Sequence, residues 1–197
     1  MHHLASSFLA ANTLTWVQGP AMPVSIECAV GISKTRFLLI GGSDRKAVRE
    51  FDTRSGAINA EGWMPADTWP ELESGRASPP ACTLLGNSLM VAGSGKVDII
   101  DIETRVAVRG KDMLEARIHF HLAVVGEEGY QRLLALGGDN GVSALSSGEW
   151  LDEELGVWEE AVGRLRERRS HAGAATVTPE MVCTAQCTKE NCPVQGK

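Results

Sequence analysis

The sequence predicts an all-β chain in which one small antiparallel sheet is repeated along the length. Three observations predict it. Short apolar runs, Phe37 to Ile40, Leu89 to Ala92 and Leu133 to Leu136, each end at glycine: Gly41-Gly42, Gly93 and Gly137-Gly138. After a polar turn each run is answered by a second one that closes on an aspartate, Asp52, Asp101 or Asp152. The landmarks also recur at near-constant intervals, with Gly42, Gly93 and Gly138 standing 51 and 45 residues apart. Four apolar residues suffice for a strand buried on both faces, and glycine supplies the positive φ of a tight reversal.

Taken in order, residues 1–17 read as two outer strands, 6–12 and 13–17, of an incomplete unit, closed by Trp16 and the turn pair Gly19-Pro20. Residues 24–30 are small and apolar and lead into the run at Phe37. Trp63, Pro65, Trp69 and Pro70 mark an insert-like connection, because proline is excluded from a helix interior. Further units open at Arg76 and Arg117. Arg169 opens two last inner strands, 170–177 and 181–183. Residues 184–197 form a polar tail. Leu155, Trp158, Val162 and Leu165 have helical spacing, but Gly156 and Gly163 and the in-phase Asp152 favour a strand here.

The small-residue strands keep the same interval: Cys28, Cys82, Ala123 and Ala175 stand 54, 41 and 52 residues apart. Repeats near 50 residues with four strands each are the pattern of propeller blades. Arg76, Arg117 and Arg169 stand six residues before three of those positions, and Met22 takes the corresponding place in the first unit. With its opening arginine, small apolar strand, glycine-terminated run, acidic strand end and Trp158, the chain resembles kelch repeats, most closely from Arg117 to Trp158. Its departures are Met22, Ala92-Gly93 in place of a glycine pair, and Val106-Ala107 in place of a tryptophan. The resemblance covers residues 16–183 and implies kelch-like blades over 18–183. Three are whole; the terminal halves either complete a small ring or belong to a partial one.

Composition narrows the function. The chain has 197 residues, 43% hydrophobic and 22% charged, enough for a sizeable core. A formal net charge of −6 gives no electrostatic reason to bind nucleic acid or a membrane. The first ten residues lack a signal peptide's basic head and long apolar core, leaving a cytoplasmic or a secreted location open. Cys28 and Cys82 occupy matching strand positions, where free cysteine packs as a small hydrophobe. Cys183, Cys187 and Cys192 form a weak zinc pattern without a fourth ligand and are read as a disulfide-prone tail.

His119 and His121 alternate with Ile118, Phe120 and Leu122, and His171 stands two residues after Arg169 as His119 stands two after Arg117. Polar lining of a channel is the expected role, without metal. A single tyrosine, Tyr130, excludes copper-tyrosine oxidase chemistry, and no Gly-x-Ser-x-Gly, His-Glu-x-x-His or phosphate-binding glycine loop appears. The expectation is a cofactor-free, non-enzymatic binding module. The kelch resemblance implies a scaffold or adaptor that recognises a protein or acidic peptide through Arg76, Ser78, Arg117, His119, Arg169, Ser170 and His171. A secreted ligand- or glycan-binding propeller with an oxidised cysteine tail is the alternative.

Overall fold

The computed structural model describes residues 7–10, 15–18, 25–42, 44–54, 63–74, 79–126, 130–152 and 156–174. Among them the chain is all-β and antiparallel, without a helix. A hairpin of β1 (Ser7–Ala10) and β2 (Thr15–Gln18) stands as its own two-stranded sheet. The first larger sheet runs β3 (Cys28–Gly31), β4 (Arg36–Ile40), β5 (Val48–Asp52). The second runs β6 (Ala81–Leu85), β7 (Ser88–Gly93), β8 (Lys96–Asp101), β9 (Ala107–Arg109). The third runs β10 (His121–Val125), β11 (Arg132–Leu136), β12 (Gly148–Asp152), β13 (Val157–Glu160). The three aspartates end the third strands, as expected. Trp63 forms a single bridge to Phe51, the stub of a fourth strand, and its ring lies 5.0 Å from the Phe51 ring.

The strand favoured over a helix at 155–165 is present as β13. β13 buries Trp158 and leaves Val162 fully exposed, so the apolar spacing does not lie on one buried face. Ser170 to Ala174, expected to begin a strand, have no strand pairing; the rest of 170–177, the strand at 181–183 and the cysteine tail lie outside the described residues.

Strand register corrects one alignment. Ile40 faces Val48, Ala92 faces Val97 and Leu136 faces Gly148, which makes Gly41-Gly42, Gly93-Ser94 and Gly137-Gly138 equivalent. The second unit's pair is therefore Gly93-Ser94, not Ala92-Gly93. The second member of each pair has positive φ: 95° at Gly42, 53° at Ser94 and 94° at Gly138. Where the chain leaves β7 and β11, that turn aims a backbone N–H at the segment opening the next unit. Ser94 donates to the Arg117 carbonyl at 3.0 Å and Gly138 to the Arg169 carbonyl at 2.8 Å.

The sheets stack through their first strands, β3 against β6 and β6 against β10. The second sheet is consequently buried on both faces. Leu89, Val91 and Ile100 meet Leu38, Ile40 and Val48 of the first sheet, together with Trp69 and Leu72 of the connection. Met90, Ala92 and Val97 meet Leu122, Leu133, Ala135, Leu151 and Trp158 of the third. Each fully buried side chain of this size is worth about 1.5–3 kcal/mol, so apolar burial is the main cohesion between sheets.

Cys28 and Cys82 are not free thiols packed as hydrophobes. They form a disulfide that joins β3 to β6 across the first seam, with Cα atoms 6.1 Å apart. The stacking of β3 on β6 brings the two cysteines together although they differ by one register position: Cys28 faces Ile40, whereas Ala81, not Cys82, faces the equivalent Ala92. A crosslink spanning 54 residues stabilises by about 4 kcal/mol on chain-entropy grounds.

The connection after β5 is anchored by a buried carboxylate. Glu50 accepts from Arg36 Nε at 2.5 Å and from the indole N–H of Trp69 at 2.8 Å. Burial pushes the Glu50 carboxyl upward, but the hydrogen bonds from Arg36 and Trp69 outweigh it and hold the carboxyl below its ordinary value.

Two predictions follow from this packing. A Cβ at Gly42 would overlap the Ser25 carbonyl, whereas one at Gly86 meets nothing within 4 Å, though both glycines have positive φ. Gly42→Val is expected to cost more than about 2 kcal/mol in urea unfolding, and Gly86→Ala only the backbone strain of about 1–2 kcal/mol. Because Glu50 is held below its unfolded value, its contribution is complete above about pH 4.3 and is lost as pH falls through the lower folded value. Glu50→Gln should therefore start less stable at neutral pH and lose less stability on acidification, read by urea unfolding at pH 7 and pH 3.

Candidate functional site

The units are opened by segments that run into β6 and β10, and third-strand carboxylates hold those segments in place. Glu149 on β12 accepts the backbone N–H of Leu114 at 2.8 Å and of Glu115 at 3.1 Å. Asp98, in the corresponding place on β8, accepts the N–H and hydroxyl of Ser74 at 3.3 Å. Both carboxylates are buried. Two segments of unrelated sequence are thus tied down by one device.

Arg117 belongs to that device and not to an open mouth, which corrects its expected role as a ligand contact. It is 1% exposed. Its Nε and Nη2 donate to Glu149 Oε1 at 3.1 and 2.7 Å, and Nη1 donates to the carbonyls of Gly137 and Ser147 at 2.8 and 3.1 Å. Nη2 also donates to the Ser147 hydroxyl at 3.2 Å. A guanidinium has five N–H donors, and all five are used internally. No donor is left for a ligand. The recurring arginine gave no signal of this, since the matching acid stands 32 residues further on.

Four other expected residues do come together. The His171 N–H donates to the His119 carbonyl at 3.0 Å, and the two imidazoles stack with centroids 3.7 Å apart and planes 22° from parallel. Both backbones have positive φ, 50° at His119 and 55° at His171, which is uncommon outside glycine. Equivalent positions in consecutive units thus adopt the same unusual turn and lie side by side. Ser170 Oγ lies 3.3 Å from His171 Nδ1, and exposed Arg169 pairs with Glu167 at 3.0 Å. Arg76 and Ser78 lie outside the described residues.

His119 and Arg169 share a cavity of about 190 Å³ with His121, over Leu136 and Leu165. The strict alternation expected from 118 to 122 does not hold, because β10 begins only at His121 and His119 lies in a turn. A second cavity of about 380 Å³ lies beside it, bordered by Glu115, Ser146, Ser147, Glu160, Arg164 and Arg168. These charges are largely paired: Arg164 with Glu160 at 2.7 Å, and Arg168 with the Ser143 hydroxyl at 3.2 Å.

Among the described residues no three His, Cys, Asp or Glu side chains converge as a metal site. Imidazoles stacked in near-parallel planes direct their lone pairs within those planes, so the pair as it stands does not chelate one ion. It offers a flat, polar-edged surface with hydrogen-bonding nitrogens and a neighbouring guanidinium. Such a surface suits an acceptor-rich ligand.

No family model matches the chain, and no curated protein matches it.

Arg117→Ala would leave Glu149 buried without its cation. We expect a loss of about 3–5 kcal/mol in urea unfolding, against a change within about 0.5 kcal/mol for exposed Arg169→Ala.

Proposed function

We propose that this chain is a kelch-type propeller arc, a partial or small ring, that acts as a non-enzymatic scaffold or adaptor and recognises a partner protein or peptide through one face. The observation that carries this reading is the gathering of His119, Arg169, Ser170 and His171 at the opening of consecutive units. Three sheets of the same register, stacked through their first strands, favour propeller blades. Rigid sheets hold the turns, and the turns carry the polar groups that choose the partner.

In a chain of net charge −6, the Arg169 guanidinium, which also pairs with Glu167, stands beside the imidazoles of His119, His121 and His171. An acidic peptide fits it by charge and by geometry, since a carboxylate accepts hydrogen bonds from both guanidinium and imidazole. Arg117 takes no part; it supports the turn from behind. Arg76 and Ser78 remain in the proposed face by their repeat position alone.

One observation favours a second reading. The Cys28–Cys82 disulfide suits an oxidising compartment, as a secreted ligand- or glycan-binding module would require.

The test is fluorescence anisotropy of a glutamate-rich labelled peptide against the full chain. The adaptor reading expects saturable binding that weakens with salt and falls at least tenfold in Arg169→Ala/His171→Ala, with Tm unchanged. Binding that is indifferent to both changes overturns this face. Selective capture on a glycan array that survives the double substitution supports the second reading.

A further inference from the structure

The first seam is built differently from the second. Cys28 and Cys82 are bonded across β3 and β6, whereas β10 carries no cysteine to bond β6 at the second seam. The bond is well placed to transmit force. Cys28 stands opposite Ile40 and Cys82 opposite Val91, both fully buried in the core that joins the first two sheets. Both cysteines are half-buried and pack against that core rather than inside it.

The first sheet is also the slightest of the three. Among the described residues it has three strands and the single Phe51–Trp63 bridge, while each of the others has four strands, so fewer ladder bonds are described within it. Its attachment depends correspondingly more on what crosses the seam.

We propose that Cys28–Cys82 is a redox-responsive clamp: a cellular or extracellular dithiol opens it and loosens the first sheet from the second, while the second and third stay joined. In the opening step a thiolate of the dithiol attacks one cysteine sulfur. The Cys28–Cys82 bond breaks, a mixed disulfide forms, and the other cysteine leaves as a thiolate that takes up a proton. The dithiol's second thiolate then resolves the mixed disulfide. Two electrons pass to the cysteine pair, which ends as two thiols, and the dithiol ends as its own disulfide. An oxidised dithiol of the same class reverses the reaction.

The experiment combines peptide mapping with hydrogen exchange on the full chain. Digestion without reductant should yield a peptide pair linked through Cys28 and Cys82. Dithiothreitol should lower Tm by roughly 10 °C and speed amide exchange at least tenfold in β3, β4 and β5, with β10 to β12 unchanged. Cys28→Ala/Cys82→Ala should show the fast exchange already and no further response at those strands, which separates this bond from the tail cysteines. Alkylation of both Cys28 and Cys82 in the unreduced protein overturns the proposal. So does a linked pair whose reduction leaves exchange in the first sheet unchanged, or raises it equally in all three sheets. If the double variant fails to fold, the comparison of reduced and unreduced native chain still decides.

Discussion

The structure depends on a backbone hydrogen bond that leaves one sheet and ends on the entry segment of the next. Ser94 makes it to Arg117 and Gly138 makes it to Arg169. Both donors sit at positive φ, and at Gly138 the Ile118 carbonyl and Phe120 of its own unit leave no room for a Cβ. Serine at position 94, with a φ of 53°, makes the same bond. The bond spans neighbouring sheets whose apolar faces meet.

Once the entry segment is caught, the buried carboxylates lock it. Glu149 takes two backbone N–H groups and the Arg117 guanidinium, and Arg117 in turn takes the carbonyls of Gly137 and Ser147. The arginine therefore ties the end of β11, the start of β12 and the segment before β10 into one unit. A buried pair of this kind adds little net stability over apolar packing, but each partner is costly to remove alone. Its effect is to fix where the turn at His119 points. Through His119 it also fixes where His171 can stack.

The candidate face is thus a consequence of the scaffold. His119 and His171 share their unusual backbone because they share a place in the repeat, and they meet because consecutive units are held one carbonyl apart. At the other seam the disulfide joins neighbouring first strands through residues one register position apart.

The sequence alone determined what period and composition encode. The apolar runs that became β4, β7 and β11, the aspartates ending β5, β8 and β12, and the all-β class were legible because strand burial and turn chemistry are local. Repeat position also placed His119 and His171 alike, and both have the same positive φ. Only the tertiary structure decided which arginine is sequestered, because Glu149 reaches Arg117 from a distant strand and a charge has no fixed fate until its partner is known. It likewise decided that Cys28 and Cys82 are bonded and that Ser94 and not Ala92 completes the second turn. Those outcomes turn on register and on the approach of one sheet to another, and neither is carried by spacing along the chain.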